Sequence, residues 1–112
     1  MKTYIWCTFR VEGVHYWPKA HNCLVHPHRH LFHFKVRMSV KHGDREVEFI
    51  ALKNELKCMV SSDILPGITV TLSCEQIGKT VLSYLIRNYG EDREYVVEVS
   101  EDGENGAEVF YP

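Results

Sequence analysis

The alternation of apolar and polar residues predicts two long strands in the first third of the chain. Between Tyr4 and Val14 every second residue is apolar, which is the period of a half-buried strand. The same alternation returns from about His30 to Val40 and ends at the turn "KHGD". Since only the irregular segment around "YWPKAHN" separates the two runs, we expect them to pair as antiparallel neighbours.

Two helices are predicted where apolar residues recur at every third or fourth position. The first begins at Phe49 and runs for about three turns. The second follows Ser73, which has Gln76 three residues on, as in a capping box, and Gly90 is placed to end it. Because each helix has a single apolar stripe, both are expected to cover one side of a sheet.

The last quarter of the chain predicts a second hairpin. The strands "REYVVEVSE" and "AEVFY" flank "DGENG", whose two glycines and Asn105 are expected to supply the positive φ angles of the turn.

The resulting order of elements along the chain is strand, strand, helix, helix, strand, strand. It predicts an α+β fold in one domain, residues 1–112, with an antiparallel four-stranded sheet and two helices on one face. The edges of such a sheet remain open to association.

Composition and charge narrow the classes of function. With 45% hydrophobic and 25% charged residues the sequence is typical of a soluble globular protein, and a net charge of −2 argues against a nucleic-acid partner. No run approaches the roughly 18 apolar residues of a membrane span, and the first residues lack a signal-peptide pattern. We therefore expect a cytoplasmic protein without a membrane partner. Its four cysteines form no CxxC pair, which favours reduced thiols.

Five of the seven histidines lie between His21 and Val36, in "HNCLVHPHRHLFHFKV". His28 and His30 are two residues apart at the start of the second strand, so they face the same side, while His33 faces the other. Antiparallel pairing brings His15, at the end of the first strand, beside them. Three imidazoles with one open position are a common zinc site, and the sequence predicts one here. The alternative is a tract of surface histidines that binds metal adventitiously.

These residues also resemble a known family. "VEGVHYWP", "HNC" and "HRHLFHFKV" are similar to the pattern of the 6-pyruvoyl-tetrahydropterin synthase and 6-carboxytetrahydropterin synthase family, in which a strand with one histidine is followed by a cysteine and then by HGHxF or HGHxY. "REVEFIALKNEL" resembles its VMDFxxLK stretch, with Glu48 where an aspartate is usual. "LSCEQIGKTV" and "VVEVSED" resemble its PTxExxA and VxVxET segments. The similarity covers most of the chain in the same order.

The resemblance implies a fold and an activity. The family has the tunnelling fold, in which sheets close into a barrel in trimers that stack as hexamers. We therefore expect a homo-oligomer, a hexamer of two trimers, in which such closure removes the open sheet edges. The implied activity is that of a zinc-dependent lyase converting dihydroneopterin triphosphate or a related pterin to a tetrahydropterin product. Such a reaction would serve queuosine or folate-related synthesis.

Site residues carry over from the family motifs one by one. His15, His28 and His30 match the zinc triad, and Glu101 matches the glutamate that anchors the pterin, a role that suits a carboxylate accepting two parallel N–H bonds. Cys23 matches the catalytic thiol, which a nearby cation would activate. The alternatives are a solvated acid for Glu101 and a loop cysteine without a role for Cys23.

The sequence departs from the family at two points. "VSSDILPGITVTLS" has no histidine where the family's LDHxxLN motif supplies a proton-relay histidine, and Arg29 replaces the glycine of HGH. His21 or His26 lies near enough in sequence to take over the relay. The departures leave a second hypothesis open, namely a non-catalytic tunnelling-fold protein that binds zinc and a purine- or pterin-like ligand.

Overall fold

The computed structural model describes all 112 residues of the chain. A 3-10 turn (Cys23–Val25) lies in the connection between the first two strands, and a wider helical turn (Val60–Ile64) extends the first helix. The predicted α+β class with two helices is confirmed. The regular elements, in chain order, are β1 (Thr3–His15), β2 (His28–Val40), α1 (Phe49–Met59), β3 (Thr69–Val70), α2 (Cys74–Tyr89), β4 (Tyr95–Glu101) and β5 (Asn105–Tyr111).

The long hairpin of β1 and β2 forms the centre of the sheet. Its two strands pair over their whole length, from Thr3 opposite Val40 to His15 opposite His28. On the other side of β2, β4 pairs antiparallel, and β5 pairs antiparallel with β4. The hairpin therefore ends with two histidines directly facing each other.

The predicted four-stranded antiparallel sheet is wrong in one respect, because the sheet has five strands in the order β3-β1-β2-β4-β5 and is mixed. The short strand β3 pairs parallel with the end of β1, Thr69 with Val14 and Val70 with His15. Two residues are too few to show a period, and Pro66 and Gly67 just before them are typical of a loop. The pairing depends on tertiary placement.

The buried face of the sheet lies under the two helices. α1 packs against β1, and α2 packs against β4 and β5. Phe32, Phe34 and Leu56 are almost completely buried, and the ring of Phe9 stacks on that of Phe34 at 4.8 Å. The residues predicted to be apolar on alternate strand positions thus form the core. Neither helix has the length and apolar character that crossing a membrane requires.

Capping residues fix where both helices begin. The carboxylate of Glu48 accepts hydrogen bonds from the Ile50 and Ala51 N–H groups, which lower its pKa. Ser73 and Gln76 form the predicted capping box at the start of α2, and Gly90 ends that helix at a positive φ of 106°. These signals are local, which is why the sequence shows them.

The turn between β4 and β5 differs in detail from the prediction. Its positive φ angles occur at Asp102 (58°) and Gly103 (73°), not at Asn105 or Gly106. An aspartate tolerates this region better than most residues do. The Asp102 N–H also donates to the Leu31 carbonyl at 2.8 Å, so the turn is attached to the start of β2. This attachment brings Glu101 and Asp102 to the histidines.

Candidate metal centre

Four side chains converge at the end of the β1–β2 hairpin. One ligand atom each from His15, His28, His30 and Glu101 lies within 4.8 Å of the other three. His15 and His28 are direct cross-strand partners, His30 follows two residues later on the same face, and Glu101 ends the neighbouring strand β4. The structure thus brings the three predicted histidines together, and it adds Glu101 to them.

Hydrogen bonds fix the tautomer of all three imidazoles. His15 Nδ1 lies 2.8 Å from the Leu72 carbonyl oxygen, and His28 Nδ1 lies 2.9 Å from that of His26. His30 Nδ1 lies 2.7 Å from Asp102 Oδ2. A carbonyl or carboxylate oxygen only accepts, so each Nδ1 carries a proton and donates it. In the neutral ring each Nε2 then has a free lone pair, which is the form that binds a metal.

The carboxylate of Glu101 approaches two of these lone pairs. Its Oε2 atom lies 2.6 Å from His15 Nε2 and 3.2 Å from His30 Nε2. Acceptor atoms repel one another at such distances unless a proton or a metal cation lies between them. Three imidazole nitrogens and a carboxylate oxygen can therefore hold a metal ion.

Asp102 supports the ligand set from outside. Its Oδ1 accepts the Leu31 N–H at 2.9 Å while its Oδ2 accepts the His30 Nδ1–H, and these two bonds hold the pKa of Asp102 below its usual value, with the His30 bond the larger cause. The two oxygens have separate tasks, since one binds the backbone of β2 and the other orients the ring. Partners of this kind raise the affinity of metal sites.

The short strand β3 supports His15. Its pairing with β1, together with the hydrogen bond from Tyr16 N–H to the Val70 carbonyl, places the Leu72 carbonyl against the His15 ring. The His15 ring also meets the edge of Phe32, with ring centroids 5.1 Å apart, and His15 is only 8% exposed. Burial on one side and the carbonyl on the other leave its Nε2 facing the other ligands.

The remaining predicted site residues are not part of this cluster. Cys23 begins the exposed 3-10 turn, where the Asn22 side chain caps Leu24 N–H. His21 is exposed in the same connection, and His26 contributes only its carbonyl, to His28. The structure therefore shows Cys23 as an accessible thiol in the loop that joins the ends of β1 and β2.

An open groove of about 840 Å³ lies beside the cluster. Tyr16 and Pro27, which line it, directly follow His15 and precede His28, and Leu72 contributes the carbonyl that holds His15. The volume is within the range of small-molecule sites. Its other lining residues are Asp63, Ile64, Pro66, Thr69, Val70 and Thr71.

Sequence reasoning missed all three supports of the histidines, which are Asp102 and the carbonyls of Leu72 and His26. Asp102 is adjacent to the predicted Glu101, but in the sequence it is one of several acids in a turn. The Leu72 carbonyl belongs to the backbone and has no signal in the sequence at all. The alternation of the strands was sufficient to bring His15, His28 and His30 together, whereas the supports at Asp102 and Leu72 depend on how the β4–β5 turn and β3 dock on the hairpin.

Comparison with known proteins gives no independent identification. No protein-family model matches the sequence, and a search of curated proteins finds no significant match.

Replacing Asp102 with asparagine should weaken metal binding by changing one tautomer. The Leu31 N–H still needs an acceptor, so the amide oxygen takes that place and the amide NH₂ faces His30 Nδ1. His30 must then carry its proton on Nε2, where it blocks the metal. We expect Asp102→Asn to lower the affinity for Zn²⁺ roughly 10- to 100-fold in competition with a chromophoric chelator.

Glu104→Gln is the matched control, because it makes the same acid-to-amide change in the same turn, where the Glu104 side chain is exposed. Its affinity should equal that of the wild type. Asparagine tolerates the positive φ of position 102, so folding should be preserved. Wild-type affinity in Asp102→Asn would show that His30 does not bind through Nε2.

Proposed function

We propose that this protein is a zinc-dependent pterin-synthase-like enzyme, which converts dihydroneopterin triphosphate or a related pterin to a tetrahydropterin product of the 6-carboxytetrahydropterin type. The observation that carries the proposal is the convergence of three Nε2 lone pairs, each fixed by a hydrogen bond at Nδ1. The motifs that resemble the pterin-synthase family supply the substrate class. The groove beside the cluster offers room for a small ring system.

Zinc, when bound there, would supply Lewis-acid polarisation of the oxygen atoms on the substrate side chain. The chain's own part is to hold the ligands rigidly. Strand pairing sets the backbones of His15 and His28, and the hydrogen bonds at Nδ1 orient the rings. Three histidines leave a coordination position for substrate if Glu101 does not occupy it.

Glu101 has two alternative tasks in this proposal. As the pterin anchor it accepts N–H bonds from the amino-pyrimidinone edge of the ring, which needs both of its oxygens. As a fourth ligand it closes the site through Oε2, the atom next to His15 Nε2. Glu101→Gln separates the two tasks, because loss of an anchor raises KM at unchanged zinc content whereas loss of a ligand lowers the zinc content.

Cys23 is the proposed proton-transfer group. It is exposed in the connection between His15 and His28, so substrate and solvent can reach its sulfur. In the proposed reaction Cys23 takes a proton from the substrate side chain.

A second candidate is a non-catalytic protein of the same fold that binds zinc and a purine- or pterin-like ligand. One observation favours it: the segment from Val60 to Leu72 contains no histidine, so the family's relay has no counterpart there. Ile64, in that segment, is buried in the core and has no proton-transfer group. In this case the histidines bind metal but accelerate no reaction.

Turnover by the zinc-loaded protein distinguishes the two candidates. Incubated with dihydroneopterin triphosphate, the wild type should release acetaldehyde and form a reduced pterin, whereas His28→Ala should lose at least about 100-fold in rate with its zinc. His42→Ala is the matched control, since His42 is exposed in the turn after β2, beyond the strand end opposite to the one that bears His28. It should keep the wild-type rate and zinc content.

Absence of turnover in protein with one zinc per chain would overturn the enzyme proposal and leave the binding protein. Absence of stoichiometric zinc would overturn both. If Cys23→Ser reacts as fast as the wild type, the thiol is not the proton-transfer group.

We also propose that the protein assembles as a homo-oligomer, a hexamer of two trimers as the family resemblance implies. The sheet has two free edges that support it: β5 pairs only with β4, and β1 from Thr3 to Gly13 pairs only with β2. Unpaired strand edges are sites of association. Light scattering after size exclusion should give a mass near six times 13.1 kDa, and a monomer at micromolar concentration would contradict the proposal.

A further inference from the structure

A second groove, of about 650 Å³, is lined by residues of β1, β2 and β4 and by residues of α1. Its floor consists of two rows of side chains across β1, β2 and β4, because alternate residues of paired strands share a face. We call it the cation groove. The cross-strand rows are Thr8, Lys35 and Glu98, and Arg10, His33 and Ser100.

Four cations line the cation groove. Arg10 and Lys35 rise from the strands, and Lys53 and Lys57 come from α1. This excess of positive charge is a local feature of the groove, since the chain as a whole has a net charge of −2. The one carboxylate in the lining is Glu98.

None of the four cations has an ion-pair partner. The salt bridges of lysine and arginine in the structure use Lys2, Lys41, Arg45 and Arg93 instead. Lys35 lies with its Nζ 4.9 Å from the centre of the Trp6 ring, which holds it in place without neutralising it. Unpaired positive charges in a concave site attract an anion, since their fields add there.

We propose that the cation groove binds an oligophosphate group, two or more linked phosphates on a small molecule. Several cations from separate elements match the charges of linked phosphates better than they match the charge of a single phosphate. Each contact between a cation and a phosphate oxygen is a charge-assisted hydrogen bond. Asn54, Thr8 and Ser100 add neutral donors. A cationic lining repels metal ions.

The distribution of charge favours a small ligand over a nucleic acid. Glu98 and its cross-strand neighbour Glu108 interrupt the positive surface on one side of Lys35. A single-stranded nucleic acid needs a positive track that follows its backbone over several nucleotides. The groove has no such unbroken track, because Glu98 lies directly opposite Lys35.

The cation groove is separate from the candidate metal centre. None of the residues that line the groove is one of the four candidate metal ligands. Loss of the metal ligands should therefore leave the groove intact. This separation matters for the test, because polyphosphates also bind metal ions.

Calorimetric titration of the full chain with orthophosphate, pyrophosphate and tripolyphosphate tests the proposal. Affinity should rise along this series and fall with added salt, because the attraction is electrostatic. Lys53→Glu/Lys57→Glu should weaken tripolyphosphate binding at least about tenfold. The matched control Lys79→Glu/Arg87→Glu makes the same charge change on the exposed side of α2 and should stay within about twofold of the wild type.

His28→Ala/His30→Ala separates the groove from the metal centre, and we expect it to keep wild-type affinity for tripolyphosphate. Loss of binding in that variant but not in Lys53→Glu/Lys57→Glu would overturn the proposal in favour of phosphate on a metal. Equal weakening by both lysine-pair reversals would mean that only net charge matters. Binding of a single-stranded oligonucleotide but not of tripolyphosphate would assign the groove to a macromolecule.

Discussion

The pairing of His15 with His28 at the end of the β1–β2 hairpin is the constraint on which the candidate site depends. A strand has a side-chain period of two, so a slip of one residue would turn His28 and His30 away from His15. The register is fixed by the buried face of the hairpin, where Phe9 lies opposite Phe34. The core contacts that fix the strand register therefore also align the three histidines.

Three independent parts of the chain then complete the site on this hairpin. The parallel strand β3 brings the Leu72 carbonyl to His15, and the β4–β5 turn brings Asp102 to His30. The 3-10 turn of the connecting loop ends beside His26, whose carbonyl meets His28. Each support fixes the proton on Nδ1, so all three rings present the same nitrogen to a common point.

The ligands were predictable from sequence because strand parity and hairpin pairing are local and periodic. The capping box at the start of α2 was predictable for the same reason, as Ser73 and Gln76 show. The fifth strand, the φ angles at Asp102 and the role of the Leu72 carbonyl were not predictable. They depend on segments of two or three residues that dock by tertiary contacts, and such segments have no period.

The central claim is that His15, His28 and His30 bind one metal ion through Nε2. X-ray absorption at the zinc edge of the loaded protein tests it most directly, because imidazole rings give a characteristic outer scattering pattern. The account predicts three imidazole nitrogens at about 2.0–2.1 Å with oxygen completing the site. Fewer than three imidazoles, or a sulfur ligand at about 2.3 Å, would contradict it.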